Sequence, residues 1–499
     1  MLHHKRQRAY GEASVRRYAV DAFTGGLNMA QDEQMIRSGQ SSAAYNVEMA
    51  DGALRRCSGF SAPVKYSHDL GREAPIPALP QADCRLYVLR TAHGEQLVAW
   101  GSSGFYVEKA DTTFGRIGWQ KCTCTAERTG KSDYCVHYKI GSVPAMLLGN
   151  EKDGMFYIDS VACAPQAVQN SKKLWAGTLH YERLFAVGDE SDHNRVRFSA
   201  QYDPKDFTVS YDKGGYIDFL KDKGEALEIL SHANSIFVFW QYGIARIKAY
   251  SYQDEFTAAE VYESISPILR GSVQACGEYV IFAAKDGVYA FNGTDAVRVS
   301  DPLEKLFEAS RDVLQEAASA FFGGKYYLSA VMRLPGEKKT EKLLLVFDLK
   351  SRRWQMYRDI PVRQFVPLHN HGEDRLLAVM DDGRLCMPDS AAQDYVGKPI
   401  HACWNMPVSN LGMPEAEKEL RELHATVSGS GRLRFTVFTE RESEQAEVEL
   451  HESQRVISCP LHLKGRLVGL RVENLSGNDF KLSAPALLYR AERGRMRRV

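Results

Sequence analysis

Three cysteines and one histidine fall close together between residues 119 and 140 and carry the clearest chemical signal in the chain. One residue separates Cys122 from Cys124, one residue separates Cys135 from His137, and Gly130 marks a turn between the two pairs. Residues two apart on a strand point to the same face, so a hairpin would bring all four side chains together. Three thiolates and one imidazole are a normal ligand set for zinc, and four protein ligands leave no open position for catalysis. The spacing therefore predicts a structural zinc site that staples a small hairpin.

Two other states of these cysteines stay open, namely free thiols and a disulfide formed after release from the cell. The remaining seven cysteines are scattered, and the first 17 residues are basic and polar without an apolar leader. We therefore expect a protein made in a cytoplasm, with most thiols reduced and packed in its interior.

Basic side chains are concentrated at both ends of the chain. The candidate interaction residues are Lys5, Arg6, Arg8, Arg16, Arg17, Arg495, Arg497 and Arg498. The whole chain balances 63 basic against 63 acidic side chains, so the part between the two ends is acidic. This neutrality argues against a protein that coats nucleic acid with its entire surface. Basic arms can bind polyphosphate or acidic protein surfaces, and solvated tails are the alternative interpretation.

The sequence lacks the common catalytic motifs. It contains no G-x-S-x-G elbow, phosphate-binding loop or H-E-x-x-H pair. No apolar run approaches the ~18 residues that a membrane span needs. We predict a protein that is not an enzyme, requires no cofactor other than the candidate zinc, and does not span a membrane.

Short apolar strands alternate with turn residues from about residue 84 to 395 and predict an all-β fold. Many of them form one repeated pair, an apolar strand, a turn holding glycine and an aromatic strand, seen most clearly in EYVIFAAKDGVYAFNG. Six or seven such units, spaced about 30–50 residues apart, predict a six- or seven-bladed β-propeller. An irregular array of β-sandwiches is the alternative.

The predicted domain organisation has four parts. They are a basic N-terminal arm (1–20), the propeller (21–395), a C-terminal β-sandwich of jelly-roll type (396–489) and a basic tail (490–499). Within the propeller we expect a cysteine-rich hairpin insert (119–140) and a helix (301–321), whose apolar residues recur every three or four positions after Pro302. The segment from Phe23 to Phe60 is expected to complete the closing blade.

Several segments resemble a known family. They are FTGGLN, AYNVEMADGALRRCSGF, YERLFAVGDESDHNRVRFSAQYDPKDF, the stretch from Glu263 to Phe307, and the stretch from Lys398 to Glu440. Together they resemble the β-propeller tail nozzle, tubular or hub proteins of short-tailed bacteriophages and the related packaged-DNA-stabilisation proteins. The cysteine-rich segment and the length of 499 residues depart from that pattern.

The resemblance implies a virion structural protein that assembles in the host cytoplasm into a ring, most often a hexamer. Such a ring would extend the DNA channel below the portal and adaptor, retain packaged double-stranded DNA and dock tail fibre or tail-tip proteins. The alternatives are a propeller that binds or cleaves glycans at the host surface and a propeller scaffold for protein contacts.

Overall fold

The computed structural model describes residues 14–20, 23–30, 32–37, 39–92, 94–189, 192–250 and 252–493. It confirms the all-β prediction. The chain divides into two compact units: Gly59–Val396 forms one, and Met1–Ser58 with Gly397–Val499 forms the other. Among the described residues, no helix is both long enough and apolar enough to cross a membrane.

The unit Gly59–Val396 contains seven four-stranded antiparallel sheets that follow one another along the chain. Sheet 1 comprises Arg85–Thr91, Gly94–Gly101, Gly104–Asp111 and Arg116–Lys121. Sheet 2 comprises Asp133–Ile140, Val143–Asn150, Gly154–Asp159 and Pro165–Ala167. Sheet 3 comprises Ala176–His180, Arg183–Val187, Arg195–Phe198 and Gly215–Asp218. Sheet 4 comprises Ala226–His232, Ser235–Trp240, Gly243–Lys248 and Thr257–Glu263. Sheet 5 comprises Gln274–Cys276, Tyr279–Ala284, Gly287–Phe291 and Ala296–Arg298. Sheet 6 comprises Ala317–Phe322, Lys325–Arg333, Thr340–Asp348 and Arg353–Tyr357. Sheet 7 comprises Val362–Asn370, Glu373–Met380, Leu385–Asp389 and Gly59–Ser61. A separate strand pair, Val64–Ser67 with Arg72–Pro75, precedes sheet 1.

The apolar core of this unit lies between successive sheets. One buried cluster joins sheets 1 and 2, and others join sheets 2 and 3, 3 and 4, and 4 and 5. A further cluster joins sheet 7 back to sheet 1, with Leu86 and Leu97 packed near Leu368 and Leu377. The first strand of sheet 1 is a neighbour of the first strand of sheet 7. The sheets therefore close on themselves in a propeller-like arrangement.

Indole N–H groups tie neighbouring sheets together. Trp175, just before sheet 3, donates to the carbonyl of Ala226 in sheet 4 at 2.9 Å, and Trp354 in sheet 6 donates to the carbonyl of Val299 after sheet 5 at 2.8 Å. Both rings are buried, so each bond satisfies a polar group inside an apolar interface.

The last strand of sheet 7 comes from the other end of this unit. Gly59–Ser61 pairs with Leu385–Asp389, with Ser61 opposite Met387 and Gly59 opposite Asp389. A Cβ on Gly59 would lie 2.3 Å from the carbonyl oxygen of Asp394, so only glycine allows this close approach. The prediction that the segment 23–60 completes the closing blade covered too many residues. Only Gly59 and Phe60 of that segment belong to a sheet of this unit. The residues before 59 pair within the other unit, where their apolar side chains are buried.

The second unit holds two larger sheets built from both ends of the chain. Arg455–Pro460, Ala416–Gly429, Phe480–Arg493, Ala53–Arg56 and Val47–Ala50 are neighbours in that order, with Arg16–Ala19 beside Phe480–Arg493 and Lys464–Gly465 beside Ala416–Gly429. The other sheet has the order Ala43–Tyr45, Cys403–Asn405, Val468–Asn474, Arg432–Thr439 and Ser443–Glu449. A short parallel pair, Gly26–Leu27 with Gln40–Ser41, and a 3-10 turn at Glu33–Met35 complete the described part. The domain boundaries predicted at residues 21 and 396 are therefore corrected at the N-terminal side, since residues up to 58 belong with the C-terminal unit.

The helix predicted over 301–321 is much shorter. A 3-10 turn at Asp301–Leu303 leads into an α-helix at Glu304–Ser310, and Ala317–Phe322 is a strand. The residues of that strand pair with Lys325–Ala330 in a tight hairpin, so cross-strand pairing overrides the helical spacing of the apolar side chains. Another 3-10 turn lies at Gln253–Glu255.

The first test of this architecture concerns the closing strand. Phe60 is buried and its ring meets Tyr395 edge-on at 5.6 Å between centroids. We expect Phe60→Ala to lower the free energy of unfolding by about 3–5 kcal/mol, because it leaves a cavity in the segment that closes sheet 7. Denaturant unfolding followed by tryptophan fluorescence measures the change.

Phe114→Ala is the matched control, because the Phe114 side chain is 73% exposed. It should change stability by less than about 0.5 kcal/mol. Equal losses in the two variants would contradict a special role for the closing strand.

Candidate functional site

The four candidate zinc ligands lie on two different sheets. Cys122 and Cys124 follow the last strand of sheet 1, whereas Cys135 and His137 belong to the first strand of sheet 2. The two strands do not pair with each other, so the predicted hairpin insert at 119–140 is wrong: the segment connects successive sheets. Within the described part of the chain, no group of three or more His, Cys, Asp or Glu side chains is placed to hold a metal ion.

These side chains instead pack into the interface between sheets 1 and 2. The three cysteines, together with Cys163, contact the apolar cluster there, and the His137 Nε2 lies 2.7 Å from the Val88 carbonyl oxygen. Burial raises the pKa of Cys122 to about 11 and that of Cys135 to about 12, and burial lowers the pKa of His137. The environment therefore favours neutral thiols and a neutral ring. None of the ten cysteines, all of which are described, forms a disulfide.

Two of the eight basic candidates lie within a described strand. Arg16 and Arg17 belong to Arg16–Ala19, which runs antiparallel to Phe480–Arg493 with Arg16 opposite Tyr489. The candidates outside the described residues are Lys5, Arg6, Arg8, Arg495, Arg497 and Arg498. Because the pairing is antiparallel, the chain before Arg16 and the chain after Tyr489 leave this strand pair at the same end.

A group of charged residues that the sequence did not predict lines a cavity of about 540 Å³ within the propeller-like unit. Its wall comes mainly from the first strands of sheets 1, 4, 5, 6 and 7 and from the residues that begin sheet 2. Basic and acidic side chains both face it: Arg85, Lys131, Asp133, Glu228, Arg270, Glu316, Lys342, Arg363 and Asp381.

Two of the four carboxylates that line this cavity have basic partners. Asp133 accepts from the Arg128 Nε at 2.8 Å and from the Tyr87 hydroxyl at 2.9 Å. Asp381 pairs with Lys342 at 2.5 Å. Such pairing is what burial of ionised groups requires.

Glu228 is the exception among the buried acids. Part of its side chain faces the cavity, yet the surrounding protein encloses the carboxyl group. Burial raises the pKa of Glu228 to about 7, against smaller opposing effects from the Ile229 N–H and from Arg270. This carboxyl therefore titrates near neutral pH.

Sequence reasoning missed these residues because they lie far apart along the chain. Arg85 and Arg363 are 278 positions apart, and neither belongs to a recognisable motif. A weak signal exists, since Arg85, Glu228 and Arg363 are charged residues next to apolar residues near the start of their strands. Charges at such positions are typical of residues facing a polar centre rather than an apolar interface.

A pH series tests the environment of Glu228. The folded pKa lies above the unfolded value of 4.5, so the folded state holds the proton more tightly and stability falls as pH rises through the window from about 4.5 to 7. We expect Glu228→Gln to be more stable than the wild type at pH 8 by roughly 1–3 kcal/mol. The two proteins should differ much less at pH 5, and a variant that is no more stable at pH 8 would disprove this environment.

Chelation tests the placement of the cysteines and the histidine. Because Cys122, Cys124, Cys135 and His137 are not assembled around a common centre, EDTA should leave the thermal unfolding midpoint unchanged. Elemental analysis of the purified protein is the parallel measurement. Stoichiometric zinc whose removal lowers the midpoint would show that the four side chains do meet.

No family model and no curated protein matches this chain. Among solved structures, it is similar to the extracellular domain of BT4673 from B. thetaiotaomicron, at 12% identity and a TM-score of 0.40 over 62% of this chain and 39% of that one. It is also similar to BBS1N, crystallised in complex with ARL6DN, at 12% identity and a TM-score of 0.38 over 66% of this chain and 98% of that one. PorZ, a surface component of the type-IX secretion system of Porphyromonas gingivalis, matches at 11% identity and a TM-score of 0.33 over 76% of this chain and 57% of that one. The chain thus spans about two fifths of the length of the first of these proteins.

Proposed function

We propose that this protein is a structural, non-enzymatic component of a bacteriophage tail or head-to-tail connector. In this role it forms a ring below the portal and adaptor, extends the DNA channel, retains packaged DNA and docks further tail parts. The proposal rests on the sequence resemblance to nozzle and hub proteins, together with one structural observation about the chain ends.

We interpret the seven four-stranded sheets as the blades of a seven-bladed β-propeller. The alternating burial along Ala416–Gly429 and Arg432–Thr439 is what two sheets facing each other require, so we interpret the second unit as a jelly-roll-like β-sandwich. A propeller with an added sandwich is the architecture that the resemblance implies.

The observation that carries the proposal is the pairing of the two described strands that lie nearest the ends of the chain. Residues 1–17 carry five basic side chains and one acidic one, and so do residues 490–499. Part of each predicted arm is strand: Arg16 and Arg17 lie in Arg16–Ala19, which pairs with Phe480–Arg493, and the latter strand includes Arg490. Basic residues from the two ends of the sequence therefore lie on neighbouring strands, and we propose that they supply one multivalent contact for a polyanion or an acidic neighbouring subunit.

The charge of the remaining chain suits passage of DNA. With both basic ends set aside, acidic side chains outnumber basic ones. A ring wall with this balance repels the phosphate backbone and lets duplex DNA slide without tight binding. The basic ends then supply contacts to the portal or adaptor, to neighbouring subunits or to the DNA itself, and we propose a hexamer located in the virion tail.

A second candidate function is binding of glycans at the host surface. It is favoured by exposed tyrosines around sheets 3 and 4, where the rings of Tyr181 and Tyr250 meet at 5.7 Å and where Tyr202, Tyr211 and Tyr252 are also exposed. Exposed aromatic groups of this kind are typical of ligand or partner surfaces.

The assembly state of the purified full-length chain tests the lead proposal. We expect rings with a central pore wide enough for duplex DNA in negative-stain images, and the corresponding mass by light scattering. Arg495→Gln, Arg497→Gln and Arg498→Gln together should shift the population toward single subunits, because they remove charge from the shared contact.

Lys172→Gln, Lys173→Gln and Lys338→Gln together are the control, since these three exposed lysines lie elsewhere on the surface. They should leave the rings intact. A protein that stays monomeric under all conditions and is retained by a glycan array would replace the lead proposal with the second candidate.

A further inference from the structure

Two arginines that line the cavity lie on neighbouring strands. Arg363 is the second residue of Val362–Asn370, the first strand of sheet 7, and Arg85 begins the first strand of sheet 1. In the described part of the chain, Arg363 takes part in no ion pair. Its pKa is lowered by burial and, after that, by the positive charge of Arg85, against smaller opposing effects from Asp381 and Asp83.

The guanidinium of Arg363 is held by backbone carbonyls alone. Its Nε donates to the Met380 carbonyl oxygen at 3.0 Å and its Nη2 to the Cys84 carbonyl oxygen at 2.7 Å. A guanidinium has five N–H donors, so about three remain for a further acceptor. Carbonyls orient this cation without neutralising it.

Arg85 is also only weakly compensated. Its Nε lies 3.5 Å from the Asp133 Oδ2, but that oxygen already accepts from Arg128 at 2.8 Å and from the Tyr87 hydroxyl at 2.9 Å. About a third of the Arg85 side chain remains exposed toward the cavity. Its charge is therefore available to a second anion.

The two arginines are held in register by the polar contacts between their strands. Next to Arg363, the Gln364 side chain accepts from the Leu86 N–H at 3.0 Å and donates to the Leu86 carbonyl oxygen at 2.7 Å. The Arg363 side chain donates to the Cys84 carbonyl oxygen. Both chain neighbours of Arg85, Cys84 and Leu86, are therefore hydrogen-bonded to Arg363 or Gln364. The two cations are positioned before any ligand arrives, which reduces the ordering cost of binding.

We propose that Arg85 and Arg363 form a binding site for a small molecule that bears an oxyanion, either a carboxylate or a phosphate. Guanidinium groups match the planar, bidentate geometry of both anions. The cavity volume of about 540 Å³ falls in the range of small-molecule sites. Nearby Lys342 is already paired with Asp381, so the two arginines supply the recognition. The site is independent of the ring proposed above.

Isothermal titration calorimetry of the full chain tests the site, with inorganic phosphate and citrate as the probes at constant ionic strength. We expect saturable binding of at least one probe at one site per chain. Arg85→Gln and Arg363→Gln should each weaken that binding tenfold or more. Tighter binding of phosphate would identify a phosphorylated ligand class, and tighter binding of citrate would identify a carboxylate class.

Arg90→Gln is the matched control, because Arg90 lies on the same strand as Arg85 but is mostly exposed and pairs with Glu95. It should bind the probe as the wild type does. Circular dichroism confirms that each variant is folded, and Arg85→Gln keeps the test decisive if Arg363→Gln unfolds. Absence of binding by either probe, or binding that both cavity variants retain, would overturn the site.

Discussion

Closure of the seven sheets is the constraint on which the propeller-like unit depends. Apolar clusters fill the interfaces between successive sheets from sheet 1 to sheet 5, and another joins sheet 7 to sheet 1. An open array would leave two such faces and one strand edge exposed to water. The short strand Gly59–Ser61 joins the beginning of this unit to its last sheet, so that hydrogen bonds between strands from the two ends of the unit close it.

Closure also determines which side chains line the central cavity. The first strands of the sheets converge there, and side chains at their ends meet regardless of their distance along the chain. The cavity is lined by charges, and a buried charge is costly unless it is paired or hydrogen-bonded. The network of Asp133, Arg128 and Tyr87 meets that requirement with an ion pair, whereas the Arg363 guanidinium is hydrogen-bonded to the backbone carbonyls of Met380 and Cys84.

The second unit is built from strands that lie far apart along the chain. Both ends contribute strands to one sheet, so the propeller-like unit is an insertion between Ser58 and Gly397. Long-range pairing of this kind is favoured when burial of apolar strands repays the entropy of closing a long loop, and that entropy grows only slowly with loop length. Its consequence is that Arg16 and Arg17, near one end of the sequence, lie on a strand beside Phe480–Arg493, near the other end.

The sequence by itself determined the all-β class, the repeated sheet units and the charge of the two ends, because alternation, turn residues and composition are local properties. It misplaced the helix at 301–321 and the hairpin at 119–140, where strand pairing with residues outside each segment decided the outcome. Local patterns did not reveal that Arg85, Arg363 and Glu228 line one cavity. They also did not reveal that two of the candidate zinc ligands follow sheet 1 while the other two belong to sheet 2. Which side chains meet is decided by the order in which sheets close, and that order depends on the burial of whole sheet faces rather than on any local pattern.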